Sequence, residues 1–403
     1  MSFGQDKIFK LKGKTQNYAW GGYDFIPRWL GIENKEHKPY AEYWMGAHPS
    51  ASSVLLSDDK EIILNDAIKQ DPAGLIGEEV FETFGELPYL FKILDVKDML
   101  SIQVHPSKAG AIEGYAAEEA AGVPLNATHR NYKDKNHKPE VMVALSEFWL
   151  LHGFLEKSAL LEVLRTVPEF GGFDDIFNVS GYKGLYQYVM EMPQDEVNEL
   201  LAPLVQRELV AKRSNELSKH QPGWWVSKSF EGKDEISEID KGVFSIYFFN
   251  IVKVSPGEAI FQGSGIPHAY LEGQNVELMA NSDNVLRGGL TSKHVDVQQL
   301  LKHTIFEETK VKILRGDRHE LGEVVYECLV PDFGISKIAL LAGQSIQSQA
   351  SSMEIIVVIE GSLQVSGTNT INALKGEAVA ILAGEKYTIT TSLDVLAYKA
   401  FVP

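Results

Sequence analysis

Gln103 and His105 stand two residues apart in Ser101-Ile102-Gln103-Val104-His105-Pro106. In an extended strand that spacing sends Ser101, Gln103 and His105 to one face and Ile102 and Val104 to the other. Three polar side chains turned toward an interior are costly unless an ion or a polar ligand satisfies them. Turned toward solvent, they need no such partner. Glu140 opens the apolar run Val141-Met142-Val143 just after Lys138 and Pro139. A carboxylate there is a hard ligand for a divalent ion or an ordinary charged strand end, and the proline suits a strand start. Lys138, two residues earlier, points the same way in extended chain. In Gly263-Ser264-Gly265-Ile266-Pro267-His268 a glycine-rich turn delivers an imidazole to the start of a strand with little freedom to move. That is how a rigid scaffold presents a ligand, although a surface histidine on a turn has the same local sequence. Gln103, His105, Glu140 and His268 together form a nitrogen and oxygen donor set without a thiolate. Such a set keeps a metal Lewis-acidic and, with one position open, catalytic. Histidine and carboxylate alone do not separate zinc from iron or manganese.

A further segment, Glu277 to His294, contains Arg287 followed by Gly288 and Gly289. The glycines let a ligand approach the backbone, and the guanidinium fork suits phosphate or enediolate oxygens. Asp283 is the nearby carboxylate expected to hold the arginine, unless the two form a plain surface ion pair.

The elements that position these residues read as mainly strand. Leu87 to Leu94 and Val141 to Leu145 are bounded apolar runs of strand length, while Asn65 to Ile68 and Ala109 to Ala121 read as helix. From Leu160 through Val210 the leucines and valines recur at helical spacing, which predicts a helical insert over 156–240. Strands are expected to return with Phe244-Ser245-Ile246-Tyr247-Phe248-Phe249. The last hundred residues hold a weak repeat: Gly257-Glu258-Ala259-Ile260 resembles Gly376-Glu377-Ala378-Val379. Gly265 and Gly384 fall in register, but where the first copy has His268 the second has Tyr387. Short strands between glycine turns suit a jelly-roll barrel used twice, with the polar ligand lost from the later copy. Two unrelated hairpins sharing a turn sequence would look alike.

The chain has 403 residues, 44 % hydrophobic and 23 % charged, enough for two or three domains of a soluble globular protein. A formal net charge of −17 opposes nucleic-acid binding, which needs a broad basic face, yet permits a small anion held by a few local cations. The single cysteine, Cys328, fits a reducing compartment. No apolar run approaches the roughly 20 residues of a membrane span, and the first residues lack the apolar stretch of a secretory signal. A cytoplasmic protein is expected.

The four segments in this order, with Gln16-Asn17-Tyr18-Ala19-Trp20-Gly21 and Ala41-Glu42-Tyr43-Trp44-Met45-Gly46-Ala47-His48-Pro49, resemble the type I mannose-6-phosphate isomerase (phosphomannose isomerase) family, a cupin-type family of zinc enzymes. The resemblance covers most of the first 155 residues and about 244–300. It implies a cupin jelly-roll catalytic domain over 1–155 and 241–310, the helical insert, and a degenerate cupin-like β domain over 311–403. It implies one Zn2+ per chain on Gln103, His105, Glu140 and His268, the essential arginine at Arg287, and pocket residues at Trp20, Lys92, Ser101, Lys138, Tyr270, Asp283 and Lys293. The implied reaction interconverts mannose 6-phosphate and fructose 6-phosphate through a cis-enediol(ate). Lys138 is the candidate for proton transfer, with a zinc-bound water, a histidine or a glutamate as alternatives. Lys92, Ser101 and Lys293 are candidates for phosphate or hydroxyl contacts, and Trp20 and Tyr270 for an apolar wall. A cupin oxygenase using iron and a non-catalytic sugar-phosphate sensor are the rival readings. Oligomeric state is left open, with a monomer favoured.

Overall fold

The structure is a computed structural model that describes residues 5–57, 60–232, 238–320 and 322–403. Its architecture follows from strict alternation along long strands. In Tyr89–Val96 the odd residues Tyr89, Phe91 and Ile93 enter one apolar core, while Leu94 and Val96 enter another on the opposite face, the side to which Lys92 also turns. Glu140–Ala144 divides the same way, with Val141 and Val143 outward and Met142 and Ala144 inward. Among the described residues the strands form three sheets of ten, nine and four strands. Their orders are open, so the walls of the jelly roll are sheets that face one another.

The long strand His268–Ala280 organises the ten-stranded sheet. Its first residues pair with Phe148–Phe154, and from Gly273 onward it pairs with Tyr89–Val96 and Glu140–Ala144 on its two sides. The change of partner requires a bend. A register shift falls between Tyr270 and Glu272, and Gly273 has φ +127°, where a Cβ would meet the Glu147 carbonyl oxygen at 2.6 Å. One strand thereby lines two walls of the same interior.

Helices Lys157–Thr166, Phe173–Glu191, Gln194–Arg213 and Pro222–Phe230 realise the expected insert. Their core, with Leu160, Phe177, Leu201 and Trp225, closes over Trp149, Leu151, Ala269 and Leu271 on the outer side of one wall. Strand does not return at Phe244. Gly242–Phe248 is a helix and the strand starts at Phe249. All seven residues of that helix are buried, so they carry no polar stripe from which either period could be read, and tertiary packing overrides their strand propensity. The polar run at Ser101 is likewise strand only at Gln103–Val104.

The nine-stranded sheet packs on the outer face of the ten-stranded one through a shared core that includes Phe9, Tyr89, Phe91, Val276, Ile335, Ile355 and Tyr398. The N-terminal strand Ile8–Lys12 belongs to this sheet, paired with Ala378–Ile381 and Val54–Ser57. The weak repeat extends to pairing register. Gln262 opposes Glu140 as Ile381 opposes Glu354, and His268 opposes Gln103 as Tyr387 opposes Ser348. The Gly265 N–H donates to the His105 carbonyl at 2.9 Å, and the Gly384 N–H donates to the Ala350 carbonyl at 2.7 Å. Gln103, His105, Glu140 and His268 therefore correspond to Ser348, Ala350, Glu354 and Tyr387. The second copy keeps only the carboxylate, and the Tyr387 hydroxyl donates directly to it. Tyr387→Phe should leave that buried carboxylate short of a donor and cost about 1–3 kcal/mol of stability. Denaturant melts would show it, with activity per folded molecule unchanged.

Candidate active site

Four inward-facing side chains stand in one row across neighbouring strands. His268 pairs with His152 on one side and Gln103 on the other, and Gln103 pairs with Arg287. Directly opposed residues share a face and lie roughly 4.5–5.5 Å apart at Cα. The adjoining wall contributes Glu140, and His105 follows Gln103 at the end of its short strand. His105, Glu140 and His268 are each at most 5 % exposed, and their ligand atoms lie within 4.8 Å of one another. The His105 Nε2 atom is 3.4 Å from Glu140 Oε1, and the His268 Nε2 atom is 3.3 Å from Glu140 Oε2.

Hydrogen bonding on the far side of each ring fixes what faces inward. His105 Nδ1 lies 2.8 Å from the Asn284 carbonyl oxygen, and His268 Nδ1 lies 2.9 Å from the Ile266 carbonyl oxygen. Carbonyls only accept, so both Nδ1 atoms carry a proton, and a ring with that single proton presents its Nε2 lone pair to Glu140. Burial pushes the His105 pKa down to about 4, and its Nε2 finds no hydrogen bond. Burial would raise the Glu140 carboxyl, but the Lys138 ammonium beside it leads the opposing influences, and the carboxyl is held well below the usual range. Imidazole lone pairs facing an ionised carboxylate repel it unless a cation sits between them. Two nitrogens and a carboxylate oxygen fit a borderline divalent metal, and Gln103 is placed next to them by its pairing with His268.

Other cations surround this group. Lys138 Nζ is 3.4 Å from Glu140 Oε1. Arg287 is half-buried, burial lowers its pKa, and among the described residues no hydrogen bond or ion pair holds its guanidinium. A half-buried cation left without a partner suits an incoming anion.

The comparisons with known proteins are consistent. The family model for the catalytic domain of type I phosphomannose isomerase matches residues 8–157. Mannose-6-phosphate isomerase of Escherichia coli (strain K12) is 37 % identical over 93 % of this chain and 95 % of its own. The chain belongs to the type I mannose-6-phosphate isomerase family. Mannose-6-phosphate isomerase 2 of Arabidopsis thaliana is 33 % identical over 99 % of this chain and 94 % of its own. The crystal structure of the Salmonella typhimurium isomerase bound to substrate and a zinc atom superposes with a TM-score of 0.88 at 34 % identity, covering 98 % of this chain and all of that one. The cupin-type fold implied by the sequence is thus the observed one.

Within this isomerase-family pocket the remaining residues separate into groups. Lys92 is buried and makes ion pairs with Glu277 at 2.9 Å and Glu42 at 3.5 Å, its ammonium 5.2 Å from the centre of the Trp44 ring. Although burial opposes its charge, those two carboxylates raise its pKa. The Tyr270 hydroxyl accepts from Gln262 at 3.0 Å and donates to Glu277 at 2.8 Å, which makes it part of this network as well as wall. Trp20 packs at the edge of the core that contains Tyr270. Asp283 does not hold Arg287. It lies 3.5 Å from His48 Nε2, and that contact lowers its pKa to about 2. Lys293 is exposed and lines a cleft of about 1010 Å3 beneath the helical insert, together with Lys228, Asp240 and Lys241. Ser101 is half-buried at the end of the Gln103 strand.

Glu42, Glu277, Gln262 and His152 were missed by sequence reasoning. Glu277 interrupts Val276-Glu277-Leu278 much as Glu140 opens its own apolar run, so the same signal was present. Replacing Lys92 by Met should strand two buried carboxylates and cost about 3–5 kcal/mol near neutral pH. Glu277 is already pushed up, by burial first. The deficit should therefore grow as pH rises above the ordinary carboxylate range and shrink below it, as protonation removes the unpaired charge. Urea melts of both proteins across pH 4–8 would measure this.

Proposed function

We propose that the chain is a zinc-dependent aldose–ketose isomerase, interconverting mannose 6-phosphate and fructose 6-phosphate through a cis-enediol(ate), with one Zn2+ on Gln103, His105, Glu140 and His268. The observation that carries this reading is the pair of inward-facing imidazole lone pairs meeting a buried, ionised Glu140, near an arginine that has no partner among the described residues. Zinc, when bound, supplies a Lewis acid to the sugar oxygens. The interconversion moves one proton from C2 to C1 and a second from the C2 oxygen to the C1 oxygen, so the carbonyl passes from C1 to C2 while the carbon skeleton and the phosphate ester stay unchanged. Arg287 offers fixed positive charge where an oxygen becomes anionic, and its adjacency to Gln103 in the sheet supports that role. Lys138, tethered by Glu140, moves the carbon-bound proton. Lys293 and Ser101 receive the phosphate or sugar hydroxyls at the mouth, where Lys293 stands exposed. Lys92 and Asp283 act through Glu277 and His48, and Trp20 and Tyr270 close the apolar side.

On this reading the catalytic unit comprises 1–155 and 241–310, with 156–240 as helical insert and 311–403 as the degenerate β unit. The separate helical core and the recurring registers support that division, with strand Ile8–Lys12 lent to the last unit. Among the described residues no helix is long and apolar enough to cross a membrane, and the reaction is assigned to the cytoplasm, in a monomer without nucleic-acid partners.

A coupled assay from mannose 6-phosphate, run with and without a chelator, tests the reading. Turnover should vanish on chelation and return with zinc, whereas full activity in metal-free protein would end the proposal. Arg287→Ala should lower kcat by about a hundredfold or more, the effect of removing a preorganised charge. A change confined to KM would make Arg287 a ground-state binding residue instead.

A further inference from the structure

His105 is oriented by the main-chain carbonyl of Asn284, and the Asn284 side chain determines where that carbonyl sits. Asn284 is fully buried. Its Oδ1 accepts from the Lys133 N–H at 2.7 Å and the Asp134 N–H at 3.2 Å. Its Nδ2 donates to the carbonyls of Asp134 and Asn136, both at 2.9 Å, and to Asp134 Oδ1 at 3.1 Å. Asp134 answers from the other segment. Its Oδ1 also accepts from the Asn136 N–H at 2.8 Å and the Ser282 hydroxyl at 2.9 Å, and its Oδ2 accepts from the Asp283 N–H at 2.7 Å. Beyond the backbone bond from the Ala280 N–H to the Pro139 carbonyl at 3.1 Å, two stretches far apart in sequence are thus stitched by side chains. One leads into Lys138 and Glu140. The other contains Asp283, the carbonyl that orients His105, and the turn into Arg287.

We propose that Asp134 and Asn284 are positioning residues, which lock the segment delivering Lys138 and Glu140 to the segment delivering Arg287 and fix the acceptor that orients His105. The inference rests on the isomerase reading of the site. Neither residue offers an atom to the ion or the sugar. The carboxylate of Asp134 gathers four donors, three on one oxygen and one on the other, a load that fits a side chain with two acceptor oxygens and not an amide. Such a knot sets the distance between cation and proton-moving groups, where a displacement of about 1 Å costs on the order of a hundredfold in rate.

The two residues predict different losses, which a purely structural role would not separate. Asn284→Ala releases the carbonyl behind His105, so zinc affinity, measured by competition with a chromophoric chelator, should fall about 10–100-fold. Asp134→Asn keeps the shape and can still accept on the crowded side, but it turns an N–H toward the Asp283 N–H. It should leave zinc affinity within about threefold of wild type and lower kcat about tenfold or more, with a melting temperature near wild type. Asp134→Asn with wild-type kcat and KM overturns the proposal, even where Asn284→Ala yields no folded protein. So does folded Asn284→Ala with wild-type zinc affinity. Wild-type protein that neither binds zinc nor turns over mannose 6-phosphate would instead end the isomerase reading on which the proposal stands.

Discussion

A carboxylate buried against two imidazole lone pairs is unstable by itself. Glu140 cannot donate, and the imidazole Nε2 atoms facing it cannot donate either, because each ring has committed its proton to a main-chain carbonyl behind it. Desolvation sharpens the conflict, since charge and lone pairs interact more strongly away from water. A divalent cation resolves it. The surroundings follow from that requirement: the walls must be rigid, the backs of the rings must meet fixed acceptors, and the outer faces of the same strands must be apolar enough to bury.

The packed cores meet the last condition. The shared core behind Tyr89, Phe91, Val141 and Val143 anchors one wall on the C-terminal sheet. The insert's core anchors the opposite wall behind Trp149 and Leu151. The C-terminal sheets show the same problem with a different solution. There the corresponding carboxylate, Glu354, meets a phenol that can donate, and its neighbourhood includes the buried Lys399–Glu323 pair. Where a proton on Tyr387 satisfies the carboxylate, no ion is required. The comparison isolates what the first site lacks and therefore what it must bind.

Much of this was legible because it rests on local pattern. Glu140 and His268 are polar groups at the starts of otherwise apolar strands, and period-two alternation set Gln103 and His105 on one face, while the convergence of all four was implied only by the family resemblance. The helical insert was legible from leucine spacing. Other features were not. Gly242–Phe248 is enclosed on every side, so hydrophobicity along it has no period to read. The pairing of Asp283 with His48 joins residues from opposite ends of the catalytic sequence, and charge spacing along one segment favoured Arg287 instead. The Lys92 network draws Glu42, Glu277 and Tyr270 from strands whose register depends on the bend at Gly273. Asp134 and Asn284 sit in irregular chain, where spacing carries no information about partners.

The account stands on one cation gripped by side chains from three separate stretches of sequence. Anomalous diffraction from zinc-loaded crystals, recorded on both sides of the zinc absorption edge, tests it most directly. One peak per chain is predicted, within bonding distance of Gln103, His105, Glu140 and His268. A density map with no peak among those four side chains, or with the zinc held elsewhere, would contradict it.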